Sequence, residues 1–179
     1  MGKRMAIFVP ILILFAVLQT SMFPKMMILN VIPNVVLVMV CTIAYFFGSE
    51  DGLWFGLIGG LLLDILTAYL LGVNAFSFAI TGFIVGFFPR KNFWDKLPIA
   101  LGIVSAAVFA EQMIQYFGER ITKYLSGAIV EFSIHLGGFL LQRVLPGLLY
   151  DAIIFIPVYF LCRAVDRYVD RGKKMMEGF

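Results

Sequence analysis

The chain has 179 residues, 61% of them hydrophobic and 14% charged, and its mean hydropathy is +0.97. Soluble domains average about 45–50% apolar and about 25% charged residues, and a domain of about 150 residues hides only about 70% of its unfolded surface, so a water-soluble fold is excluded. Disorder, a collagen-like chain and a disulfide scaffold are excluded as well. The formal net charge of +3 is carried at the chain ends and in one internal loop, which suits a membrane boundary and not a nucleic-acid partner.

At about 20 apolar residues per span, the sequence reads as one integral membrane domain over 1–179, an all-α polytopic bundle of six transmembrane helices. The first span is 5–22. Lys3 and Arg4 precede it and no A-x-A site follows, so it reads as an uncleaved span and not a signal peptide. The second is 31–47, and the acidic connector Gly48-Ser49-Glu50-Asp51 leads to the third, 53–71. Gly72 and Asn74 mark a tight turn into the fourth, 73–88, and Pro89–Lys96 is a basic loop. The fifth span is 97–117 and the last is 144–162. Pro10 and Pro157 lie inside spans and predict kinks.

Between the last two spans, 118–143 has Ile121, Tyr124, Leu125, Ala128, Ile129 and Phe132 at helical spacing, with Arg120, Lys123 and Ser126 opposite. That pattern is amphipathic, so the segment is expected at the outer interface or as a re-entrant stretch. Six spans put ten of the 14 basic residues on one side and four on the other, so both termini are expected in the cytoplasm. The tail 163–179, with Arg163, Arg167 and Arg171 four apart, reads as a cytosolic helix extension suited to acidic lipid headgroups or a cytosolic partner.

A few residues stand out. Gly52, Gly56 and Gly60 recur every fourth position in the third span, and Gly82 and Gly86 do so in the fourth. Such rows form a groove that lets another helix approach closely, either the neighbouring span or a foreign helix. Asp64 is the next step of the same row, at the middle of its span, and Tyr150-Asp151 sits early in the last one. The strings Gly60-Leu61-Leu62-Leu63-Asp64 and Gly147-Leu148-Leu149-Tyr150-Asp151 match, in spans three and six, as an inverted three-plus-three repeat would place them. Carboxyls inside a membrane are costly and are functional candidates. A shared-proton aspartyl hydrolase is one reading, but the Gly-x-Gly-Asp signature of intramembrane hydrolases is absent.

Glu111, Gln112 and Gln115 read as a polar lining or interhelical glue, His135 as a packing residue, and Cys41 and Cys162 as small buried hydrophobes. No phosphate loop, nucleophile triad or metal-ligand spacing is present in the sequence, so no catalytic residue, cofactor or metal is expected.

The block Gly52–Gly86, with Gly-Leu-Trp-Phe-Gly-Leu-Ile-Gly-Gly-Leu-Leu-Leu-Asp followed by Leu71-Gly72-Val73-Asn74-Ala75-Phe76, resembles the rod shape-determining protein MreD family, and Tyr150-Asp151 looks similar to that family too. The resemblance implies a non-enzymatic scaffold of the bacterial cell-elongation machinery in the inner membrane. Its partners would be MreC, the MreB filament, and RodA with its penicillin-binding protein, so that it helps control peptidoglycan synthesis and rod shape. It also implies a fold similar to the substrate-binding subunits of energy-coupling-factor transporters. A small-molecule-binding transporter subunit is therefore the alternative, although the alanine-x-x-x-alanine docking motif of those subunits is missing from the first span. Gly52, Gly56, Gly60, Asp64, Gly82, Gly86, Tyr150 and Asp151 are the expected partner-binding or helix-packing residues.

Overall fold

The computed structural model describes residues 2–22, 33–67, 72–88, 97–125 and 136–176. Helix α1 is Gly2–Ser21, α2 Val35–Phe47, α3 Ser49–Thr67, α4 Val73–Gly86 and α5 Leu97–Leu125. The final run begins with α6, Leu136–Phe139, passes through a π-helical turn at Leu140–Val144, and continues as α7, Leu145–Met176. All the regular structure among the described residues is helical.

Hydrophobic pattern explains the arrangement. α2 is apolar on every side, a composition that demands burial all round. It forms the axis of the bundle, with Val35 through Phe46 all buried and α1, α3, α4, α5 and α7 packed around it. Phe8 of α1 meets Phe55 of α3 edge-on at 5.7 Å, and Phe46 packs on Tyr159 of α7 at 5.1 Å. The outward faces of α1, α3, α4, α5 and α7 carry exposed large apolar side chains, a pattern that lipid satisfies and water does not.

Among the described residues, three helices are long and apolar enough to cross a membrane: α1, α5 and the final run over Gly137–Tyr168. α2 and α4 are apolar but shorter. Both α1 and α7 remain helical through Pro10 and Pro157.

Several boundaries differ from the sequence reading, and α3 begins at Ser49, so Ser49, Glu50 and Asp51 of the expected acidic connector form its first turn. α5 continues to Leu125, so 118–125 extends the preceding helix and is not the start of a separate amphipathic one. Its 29 residues reach about 43 Å, well past the ~30 Å of hydrocarbon. The last helix begins at Leu136, upstream of 144, because the π turn carries it through Leu140–Val144. The rest of the amphipathic pattern, including His135, and the basic loop at 89–96 lie outside the described residues.

Candidate functional site

The glycine rows meet each other. A Cβ at Gly56 would strike the backbone of Phe78 and Ala79, the latter at 2.8 Å, and one at Gly60 would strike Asn74 and Ala75. Gly52 faces the Gly82 backbone, with Ala44 Cβ of α2 at 2.6 Å from the same point, and Gly86 faces Gly48 and Ser49. α3 and α4 therefore touch backbone to backbone along their whole length, and α4 fills the groove of the α3 row. Gly59 turns towards α2, where its Cβ would lie 2.9 Å from Val36.

Asp64 completes this hairpin. It is fully buried, one turn from the end of α3 and not at mid-helix. Gly72, the cap residue of α4, adopts φ +100°, a left-handed conformation suited to glycine, and has no side chain with which to cap. Asp64 does so from the neighbouring helix. Its Oδ2 accepts from the Gly72 N–H at 2.8 Å and the Ala75 N–H at 3.2 Å, and its Oδ1 from Asn74 N–H at 3.2 Å and Asn74 Nδ2 at 2.8 Å. A carboxylate there satisfies orphan donors and meets the positive end of the helix dipole.

Asp151 makes a related contact at α2. Its Oδ1 accepts from the Asn34 N–H at 2.9 Å. Asn34 Oδ1 accepts in turn from the Leu37 N–H at 3.2 Å and from Gln19 Nε2 at 3.3 Å. Gln19 Oε1 accepts from the Val36 N–H at 3.0 Å. Groups from α1 and α7 thus close the amino end of α2. Tyr150, beside Asp151, is half-buried, and its hydroxyl has no hydrogen-bond partner among the described residues.

A polar link joins this hairpin to α5. Gln115 Nε2 donates to Glu111 Oε1 at 2.5 Å and to Asn74 Oδ1 at 3.3 Å, while Ser77 Oγ donates to Glu111 at 3.5 Å. The i,i+4 pair on α5 therefore acts as glue between α5 and α4. At the other end of the bundle, Arg4 pairs with Asp51 at 2.5 Å and its guanidinium lies 4.5 Å from the Phe47 ring centroid. Sequence reasoning missed this clasp and the Gln19–Asn34 pair. For Asn34 a signal existed, since an asparagine directly before an apolar helical run is an N-cap signature.

One face of α5 carries a row of exposed small residues. On α5, Gly102, Ala106 and Ala110 are exposed small residues four apart, and a Cβ added at Gly102 meets nothing within 4 Å. Phe117, Ile121 and Tyr124 continue that face beyond the hydrocarbon length and are 39%, 50% and 51% exposed.

The family model described as rod shape-determining protein MreD matches residues 1–169. The chain belongs to the MreD family. A role in rod-shape determination follows from that membership, and the long apolar helices fit a membrane member of the rod-shape machinery. No curated protein and no solved structure matches the chain.

Proposed function

We propose that this MreD-family chain is a non-enzymatic, six-span scaffold of the elongation machinery, with both termini cytoplasmic. It binds MreC and through it helps set peptidoglycan synthesis by RodA, its penicillin-binding protein and the MreB-guided complex. Both membrane aspartates are occupied as acceptors for backbone N–H groups of two different helices, a duty that supports structure and not acid–base chemistry. Because α4 fills the α3 glycine groove, the partner surface moves to α5.

The observation that carries this reading is the outward face of α5. Inside the hydrocarbon, Gly102, Ala106 and Ala110 let a partner helix approach closely, the arrangement that favours helix association in lipid. At and beyond its edge, Phe117 and Ile121 present an exposed apolar ridge. A single-pass partner with a large outer domain fits both halves.

Gly102→Leu combined with Ile121→Asp is expected to abolish co-purification of MreC from native membranes while the protein still inserts and stays monodisperse. Undiminished MreC recovery would remove α5 as the contact, and recovery of transporter ATPases in place of elongation proteins would remove the scaffold reading.

A further inference from the structure

The outward face of α7 changes chemistry at a fixed point. Leu149, Ile153, Ile156 and Phe160 follow one another at steps of four, three and four, and are 69%, 66%, 46% and 56% exposed. The next members of the same helical row, at steps of three, four, four and three, are Arg163, Arg167, Arg171 and Lys174. Arg163 is half-buried and Arg167 exposed, and the helix backbone continues through Met176. Phe155, Tyr159, Cys162, Val165 and Asp166 are buried against the bundle. Asp166 is buried at the flank of the basic row, three residues from Arg163.

The change of chemistry places the transition between Phe160 and Arg163; the helical run Leu136–Met176 reaches about 60 Å, about twice the ~30 Å of hydrocarbon, and so extends beyond it. Tyr168, 72% exposed, is an aromatic of the kind that settles at headgroup depth. A face that contacts acyl chains through Phe160 next meets the headgroups of those same lipids.

We propose that the row Arg163, Arg167, Arg171 and Lys174 is a docking strip for anionic phospholipid headgroups in the leaflet at the carboxyl end of α7. Guanidinium groups suit phosphodiesters because their donors match the phosphate oxygens in pairs. Continuity with the lipid-facing face above favours a lipid occupant over a soluble protein.

The test is native mass spectrometry of the full chain in neutral detergent, titrated with dioleoyl-phosphatidylglycerol or with dioleoyl-phosphatidylcholine. Wild type is expected to retain phosphatidylglycerol in preference to phosphatidylcholine and to lose that preference as ionic strength rises. Each basic residue near an anionic surface is worth about fivefold in binding, so Arg163→Gln/Arg167→Gln/Arg171→Gln should weaken phosphatidylglycerol binding about a hundredfold. The matching triple Arg→Lys variant, which keeps the charge, should retain most of it and serves as the folding control. Equal retention of the two lipids by wild type would overturn the proposal. So would unchanged phosphatidylglycerol binding by the glutamine variant, or a glutamine variant that loses only a co-purifying cytosolic protein.

Discussion

Asp64 and Asp151 end two five-residue strings that differ only at Leu63 and Tyr150, and they do the same kind of work with different intensity. Asp64 receives four N–H groups from Gly72, Asn74 and Ala75 with both of its oxygens. Asp151 receives one backbone N–H, that of Asn34, on one oxygen. An amide in place of Asp64 turns an NH2 group towards donors and leaves buried N–H groups unpaired. Asp64→Asn is therefore expected to cost about 2–4 kcal/mol, combining a lost cap with unsatisfied donors. Asp151→Asn keeps a carbonyl for the Asn34 N–H and should cost about 0.5–1.5 kcal/mol. Thermal unfolding of the two variants in one detergent checks the order; an equal or reversed ranking would mean that Asp64 is not the dominant cap. The sequence exposes both aspartates through the expense of a membrane carboxyl, but their partners are out of reach there. Asn34 lies 117 residues from Asp151, and the donors at Gly72–Ala75 become a target only once α4 folds back onto α3.

Among the elements, the α3–α4 hairpin was the most legible, because glycines at every fourth position on both helices leave few alternatives to close backbone contact. The glycine rows alone could not say which helix fills the groove, and the structure assigns it to α4. Spacing also separates packed from unpacked glycines only after folding: Gly56 and Gly102 are both mid-helix in an apolar span, yet one abuts the Phe78 and Ala79 backbone and the other meets nothing within 4 Å. Adding a single methyl group distinguishes them. Gly56→Ala should destabilise the protein by about 1–3 kcal/mol, the cost of overpacking against a backbone that has nowhere to move. Gly102→Ala should be neutral or stabilising by up to ~1 kcal/mol through helix propensity alone. Unfolding midpoints in the same detergent give both values, and a Gly56→Ala variant as stable as wild type would show that the two helices separate at little cost. The continuation of α5 to Leu125 was less legible. Charges at Glu119, Arg120 and Lys123 end the apolar run, and the hydrophobic pattern reads a new amphipathic segment there although the same helix continues to Leu125.

At the scale of the whole molecule, charge and architecture combine into a testable orientation. The Arg4–Asp51 clasp joins the amino ends of α1 and α3, so those two ends share one side of the bundle. The caps made by Asp64 and Asp151 lie at the amino ends of α4 and α2, which an alternating six-span path places on the other side. The basic residues of the α7 extension fall with Arg4, which is the distribution expected of a cytoplasmic face. Native Cys41 and Cys162 are fully buried, so a membrane-impermeant maleimide should leave the wild-type protein unlabelled and provide a clean background. Gly118 has open space around an added Cβ and sits on the α5 extension, while Arg167 is exposed on the α7 extension. Gly118→Cys is expected to be labelled in intact cells and Arg167→Cys only after the membrane is permeabilised. The reverse pattern would invert the orientation. Labelling of both in intact cells would put the α5 and α7 extensions on one side and exclude the six-span path, since that path sends them out of opposite faces of the membrane.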